Sequence, residues 1–413
     1  MNRRPAVFVQ ALLLVAGLCR AQDPAVLVHD PAVETALAAA KNIEPQTIEQ
    51  QVHICEIAAP PFHETARGQE LRRLFTQLGL QEVRVDKAGN VIGTRPGRSL
   101  HPHLVVAAHL DTVFPEGTDV KVTREGTVLK APGIGDDCRG LSVLLAIIQV
   151  LDQAKITTPG TISFVADVGE EGLGDLRGMK TLFSDSMKGE IDKFVSIDGT
   201  GYGIVNVGVG SLRYRVTFTG PGGHSYGSFG MANPIHAMGR AIAKIADLEV
   251  PSDPKTTFNV GRAGGGTSIN AIPSDAWMEM DLRSSSVQAL NSLDRRFQAT
   301  VRTGVDEENR RWNNRGKVSA SFELVGARPA GQTPLNSPIV LTALGVSRAL
   351  EIEDDLRESS SDSNVPMNLG IPAITVGAGG KSTGTHSPQE TFDTKDSWLG
   401  TQRAVLLVIA LAR

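Results

Sequence analysis

Cysteine is scarce, with three residues in a chain of 413. One of them, Cys19, falls in an N-terminal targeting segment. The other two, Cys55 and Cys138, are too few for a disulfide framework, and they pair only if the fold brings them together. Long apolar runs are also missing. After the first 21 residues no stretch is long and apolar enough to span a membrane as a helix. The formal net charge of −4 leaves no basic footprint for nucleic acid. Internal repeats and low-complexity tracts are absent, which excludes a solenoid or a repeat array.

The start of the chain reads as a secretory signal. Arg3 and Arg4 precede the apolar run Ala6 to Leu18, and Cys19-Arg20-Ala21 ends in a small residue, so cleavage is expected near Ala21-Gln22. Leu18 before Cys19 does not fit the bacterial lipoprotein pattern. An exported protein, periplasmic or secreted, is expected. The mature chain is long enough for two domains.

Leu104-Val-Val-Ala-Ala108 is a short β-branched run, as in a buried strand, and the chain turns polar at His109 and Asp111. Two residues apart on an extended backbone, these side chains leave the strand on the same side. Thr161 to Ala166 is the next such strand and runs into Asp167 and the pair Glu170-Glu171. Lys193 to Ile197 ends at Asp198. A helix from Leu141 to Leu151 separates the first two. This alternation argues for a doubly wound, mainly parallel sheet, whose C-terminal strand ends hold ligands. Three acidic strand ends and a histidine then converge on one rim.

From Gly210 the pattern changes. Leu212 to Phe218 alternates with period two, and a helix follows from Asn233 to Leu248. Strands at Thr256–Val260 and Ala276–Leu282, a helix near Val287–Val301 and a strand at Val318–Leu324 complete a ferredoxin-like α+β unit. The expected organisation is a signal peptide over 1–21, an α/β catalytic domain over 22–209 and 328–413, and an inserted lid domain over 210–327. In the second catalytic segment a helix at Ile339–Leu350, a strand at Ala373–Val376 and a helix at Ser397–Leu411 are expected. The loop Gly384-Thr-His-Ser-Pro-Gln-Glu390 brings a second histidine, His386.

Two histidines and several carboxylates without a thiolate make a nitrogen and oxygen donor set that suits zinc, cobalt or manganese. A further carboxylate held off the metals is needed to take a proton from water. Glu170 and Glu171, being adjacent, point differently and offer both roles.

These motifs resemble, in order and over essentially the whole mature chain, the co-catalytic zinc metallopeptidase family of peptidase T, carnosine dipeptidase, aminoacylase and glutamate carboxypeptidase. The peptidase T-like branch is the most similar. The resemblance of Ala108-His-Leu-Asp-Thr-Val113 implies His109 as a metal ligand oriented by Asp111. Gly135-Asp-Asp-Cys-Arg-Gly140 implies Asp136 as the bridging ligand, followed in the family by a cis peptide bond. Gly169-Glu-Glu-Gly172 implies Glu170 as general base and Glu171 as ligand. Asp198 and His386 complete the set. The implied division is His109 and Asp198 on one zinc, Glu171 and His386 on the other, and Asp136 on both. In the lid, Gly222-Gly-His-Ser-Tyr226 implies His224 as a stabiliser of the developing oxyanion, often across a dimer. Gly266-Thr-Ser-Ile-Asn270 and Asp281-Leu-Arg-Ser284 imply Asn270 and Arg283 as substrate-binding residues, with Arg283 clamping a carboxylate. Ser360-Ser-Asp-Ser-Asn364 resembles a substrate-facing loop. One departure stands out: the family commonly has Lys where this chain has Cys138, and Arg139 follows, as if the basic group were displaced by one residue. A free Cys138 thiol beside the metal loop would make the enzyme sensitive to oxidation. His53, His63, His101 and His103 read as ordinary surface or packing residues.

The resemblance implies an aminopeptidase of short peptides, with two Zn2+ (Co2+ or Mn2+ also suit the donors) and a homodimer formed through the lid. Asp at position 198 accompanies aminopeptidases and dipeptidases in the family, and Glu there accompanies carboxypeptidases and acylases. The competing readings are a carboxypeptidase or N-acyl-amino-acid amidohydrolase of the same family, and an inactive homologue that binds peptides. The intact Asp111 and Glu170 argue against the last. Gly208-Val-Gly-Ser-Leu212 does not fit a nucleophile elbow, which argues against a serine hydrolase.

Overall fold

The computed structural model describes residues 23–353 and 355–413; the expected signal peptide over 1–21, with Cys19, lies outside the described residues. The catalytic part is built on a large sheet in the order Gln81–Val85, Val91–Arg95, Ile162–Asp167, Leu104–His109, Lys193–Ile197, Ala373–Val376, Ile204–Gly208 and Gly331–Gln332. Leu356–Ser359 pairs with Ile204–Gly208 off this path. The four central strands, Ile162–Asp167 to Ala373–Val376, are mutually parallel. Both flanks are antiparallel, so the sheet is mixed.

Alternate residues of the central strands enter different cores, which is why these strands are apolar throughout. Leu104, Val106 and Ala108 pack with Phe164 and Ala166 under the helices Pro31–Asn42, Cys138–Gln153 and Trp398–Leu411. Val105, Ala107 and Val165 face the other way, onto Leu176, Met179 and Phe183. Parallel pairing sets His109 level with Asp167, and Val376 level with Ile197, so the polar residues after these strands reach one rim.

A second, four-stranded sheet has no counterpart in the expected elements: Lys381–Thr383, Thr391–Asp393, Val128–Lys130 and Thr123–Glu125, all antiparallel. It joins two distant parts of the chain directly beside the rim.

The lid is a four-stranded antiparallel sheet in the order Thr256–Gly265, Asp275–Ser284, Gly210–Thr219 and Ser319–Arg328, with helices Pro234–Ala246 and Val287–Arg311 packed on one face. This is the ferredoxin-like order. The second helix runs ten residues beyond its expected end at Val301. Its polar C-terminal half is held by Glu308, a buried carboxylate that accepts from Asn233 N, Arg240 Nε and Trp312 Nε1.

The chain leaves the large sheet at Gly208 and comes back at Gly331. These residues pair with each other, and so do Ser211 and Arg328 inside the lid. Between the two ladders, the Asn364 side-chain amide donates to Val209 O and to Pro329 O, each at 2.9 Å. One side chain thus grips both connecting strands.

Cys55 and Cys138 form a disulfide, with Cα atoms 5.4 Å apart and a sequence separation of 83. The expected free thiol beside the metal loop is therefore corrected. The bond ties the end of helix Glu44–Cys55 to the first residue of helix Cys138–Gln153.

Candidate metal centre and cleft

His109, Asp136 and Asp198 form one compact donor group, and Asp136, Glu171 and His386 form another. A third overlapping group joins His109 with Glu170 and Glu171. Within each group the donor atoms all lie within 4.8 Å of one another. Asp136 divides its two oxygens, with Oδ1 3.0 Å from His109 Nε2 and Oδ2 3.1 Å from His386 Nε2. Glu171 Oε1 lies 3.0 Å from His386 Nε2, and Asp198 Oδ1 lies 3.9 Å from His109 Nε2.

Local structure accounts for these positions. Asp136 and Asp137 are joined by a cis peptide bond. Asp137 caps helix Cys138–Gln153 through Gly140 N at 3.1 Å, and its other oxygen accepts from His109 N at 3.1 Å. A Cβ on Gly140 would lie 2.2 Å from Asp137 Oδ1, so only glycine permits that turn. The small sheet does the rest. The Asp136 loop leaves its strand Val128–Lys130, and His386 sits in the hairpin between Lys381–Thr383 and Thr391–Asp393. Glu390 closes that hairpin onto the loop, accepting from Gly133 N, Gly135 N and Asp136 N at 3.1, 2.9 and 3.1 Å.

Asp111 acts differently from the expected orienter. His109 Nδ1 is 2.9 Å from the Asp111 backbone oxygen, and the Asp111 carboxylate is 3.8 Å away. That carboxylate instead accepts from Gly169 N, Glu170 N and Glu171 N at 2.9, 3.1 and 2.9 Å. It therefore fixes the loop that carries both glutamates.

The electrostatics are those of a site built around added positive charge. Burial, reinforced by Asp136, pushes the Asp198 carboxyl up to about 7. Burial raises Glu170 well above the usual carboxylate range; Arg328 opposes this, and Glu171 and Asp198 add to it. Burial also works to raise Asp136, but the hydrogen bonds with His109 and His386 prevail and hold it low. His386 is pushed up to about 10 by Asp136 and then Glu171. So many buried carboxylates, with so few cationic partners, fit divalent ions in the two donor groups. His109, Asp136 and Asp198 would hold one ion, and Asp136, Glu171 and His386 the other.

A cavity of ≈ 400 Å³ opens over this cluster, with Asp136, Glu170, Glu171, Asp198 and His386 on its floor and Arg213, Arg283 and Arg328 on its lid side. Arg283 is thus brought to the cleft, where its Nε donates to Asp281 at 2.7 Å. His224 and Asn270 are not. They stand together on an exposed two-stranded ribbon, with His224 paired to Ala271, and neither lines the cleft of its own chain. Arg139 also departs from expectation. It is fully buried and turned from the metal groups, 2.9 Å from Glu44 and donating to Ala378 O, Ser397 O and Thr401 Oγ1.

Arg328 escaped the sequence reading. It is the last residue of the lid's final strand, yet its guanidinium reaches back to Glu170, 3.2 Å from Oε1 and in contact with the backbone oxygen, and also donates to Ser360 Oγ. No local pattern marks such a long-range pair. Asp137 was closer to legible, since an Asp-Asp pair just before an apolar helix is also an N-cap signature.

Comparison with known proteins agrees in two parts of the chain. Residues 209–309 match the profile "Peptidase dimerisation domain", and residues 90–225 match "Peptidase family M28". Among curated proteins, the chain is 25% identical over 352 residues to the uncharacterized protein YqjE of Bacillus subtilis, covering 81% of this chain and 91% of that one. It is 27% identical over 299 residues to carboxypeptidase G2 of Pseudomonas, covering 68% of each. Among solved structures, aminopeptidase PepT of Bacillus cereus superposes with a TM-score of 0.74 at 22% identity, covering 90% of this chain and 99% of that one. The YXEP protein of Bacillus subtilis, described as a dinuclear metal binding peptidase of the M20 family, gives 0.66 at 16% identity and covers 89% and 98%. The lid matches a peptidase dimerisation domain, the full-length fold matches that of PepT and the donor groups are in place, so the chain has the fold of the M20 peptidases and the character of a metal-dependent hydrolase.

Proposed function

We propose that this is an exported di-zinc aminopeptidase of short peptides. The observation that carries the reading is Asp136, which presents one oxygen to each histidine group. Two zinc ions there would polarise the scissile carbonyl and make water a nucleophile near neutral pH. Glu170 is not needed as a ligand in either group that contains Asp136, and it faces the cavity. In this reading it takes the proton of the attacking water and passes it to the leaving amine. Arg328 holds that carboxylate in place, and Arg283 binds the carboxylate of the leaving part. His224 and Asn270, exposed together on the lid ribbon, act in the cleft of a second copy. The exposed Tyr226, Phe229 and Ile269 around them give that ribbon an apolar surface to bury in a dimer.

Asp198 supports the aminopeptidase branch, and the PepT fold is in keeping with it. The likeness to carboxypeptidase G2 keeps a carboxypeptidase or acylase as the second reading. One experiment separates them. Zinc-loaded wild type and Asp136→Ala are given a free tripeptide and its N-acetyl form. Wild type is expected to bind about two zinc equivalents and to cleave only the free peptide, and the variant to lose metal and turnover together. Faster cleavage of the acetylated peptide moves the assignment to the second reading. Equal metal content in both proteins refutes the proposed centre.

A further inference from the structure

The cleft does not end above the metal groups. A second cavity of ≈ 420 Å³ abuts the first, and the two share Arg283, Ser359 and Ser360. The second adds Val209, Lys255, Thr257 and Glu358.

Its lid wall follows from the sheet register. Thr257 pairs with Arg283, and Arg283 with Ser211; the next row is Asn259, Asp281 and Arg213. The residues between them, Phe258, Leu282 and Leu212, belong to the core under the lid helices. The polar rows therefore occupy the opposite face of the sheet, toward the catalytic domain. Lys255 lies two residues before Thr257 and lines the same cavity.

Charge on this wall is unbalanced. Arg213 and Arg283 share a single carboxylate, Asp281, at 3.2 and 2.7 Å. Two guanidinium groups around one anion leave a net positive charge at the junction of the cavities. Lys255 has no ion-pair partner among the described residues, although Glu358 lines the same cavity. The Ser359 and Ser360 hydroxyls lie on the shared wall as neutral hydrogen-bonding groups.

We propose that the second cavity is a subsite for a second carboxylate on the leaving part of the substrate, and that Lys255 sets this specificity. The inference rests on the peptidase reading above. The scissile amide sits over the metal groups, the first carboxylate meets Arg283 at the junction, and the second reaches Lys255. The substrate class is short peptides whose leaving part ends in glutamate or aspartate. A lysine suits this role, because a compact charge on a flexible stem follows carboxylates carried on side chains of different length.

The test compares Ala-Gly-Glu, Ala-Gly-Gln and Ala-Gly-Lys on metal-loaded protein. Wild type is expected to prefer Glu over Gln by about tenfold in kcat/KM, the scale of one charge-assisted hydrogen bond, with Lys poorest. Lys255→Glu is expected to reverse the order of the Glu and Lys peptides. Equal rates for Glu and Gln in wild type, or an unchanged ratio in the variant, overturn the proposal. Calorimetry with Gly-Glu and Gly-Gln needs no turnover and separates the two layers of the argument. If no tripeptide is cleaved but Gly-Glu binds tighter, and Lys255→Glu removes the difference, the subsite stands and the peptidase reading falls. If the two dipeptides bind alike, the subsite falls.

Discussion

At the rim of the large sheet Glu170, Asp137 and Asp198 are pushed toward their neutral forms, first of all by burial. Across the cleft, on the lid sheet, Glu279 and Asp281 are about one-third exposed, and each sits between two arginines. Glu279 lies 2.7 Å from Arg215 and 3.0 Å from Arg262. The same residue types thus stand in two electrostatic regimes, one on the rim and one on the lid sheet. The rim holds more carboxylates than its His109, His386 and Arg328 can offset, and is organised for charge brought from outside. The lid face pairs its carboxylates internally and keeps a surplus of positive charge. Buried charge without a partner is far costlier than exposed paired charge, so the two sides should respond very differently to substitution.

The contrast is broken most severely at Glu170. Glu170→Gln keeps the shape and removes the basic oxygen. Turnover should fall by at least ~10²-fold while zinc content stays at the wild-type level. Metal loss in that variant would place Glu170 among the ligands instead. The next effect is on stability. Arg139→Met strands the Glu44 carboxylate inside the catalytic domain and should cost about 3–5 kcal/mol in denaturant unfolding. Glu279→Gln on the lid is the smallest change. It removes an exposed carboxylate from two arginines and should cost less than about 1 kcal/mol. If the last two substitutions cost the same, burial does not set what a broken charge pair costs in this protein.

The sequence made legible the groups whose chemistry is restrictive. Candidate donors and a candidate base are His, Asp or Glu, so His109, Glu170, Glu171 and Asp198 stand out by type and by their place after buried strands, while Asp136 is marked only by the resemblance of its loop. His386 was visible as a residue, but the element that positions it was not. Its hairpin strands are three residues each, too short for a periodic signal. Arg328 and the Cys55–Cys138 bond were hidden for a different reason. Each depends on two distant segments meeting, and the bond spans 83 residues of sequence. Asp111 shows a third case. The residue was recognisable, but its carboxylate serves three backbone amides rather than the imidazole. The polar far half of helix Val287–Arg311 carries no apolar stripe to extend it past Val301, and Glu308 shows that a charged residue can be the buried one.

The paired strands that join the lid to the catalytic sheet have a mechanical consequence. A domain inserted through two separate tethers can twist and slide on each of them independently. Here Gly208 is laddered to Gly331 on one side of the junction and Ser211 to Arg328 on the other. Asn364 pins the two strands together in between, through Val209 O and Pro329 O. The lid therefore hangs on a two-ply ribbon, stiff to shear and compliant only in bending across its plane. Any widening of the cleft is then a flexure about one line through Val209 and Pro329, and it carries Arg213, Arg283 and Lys255 away from the rim together with the lid sheet. Load applied to the lid falls on both strands at once, so the joint yields as a unit rather than by peeling one strand from the other.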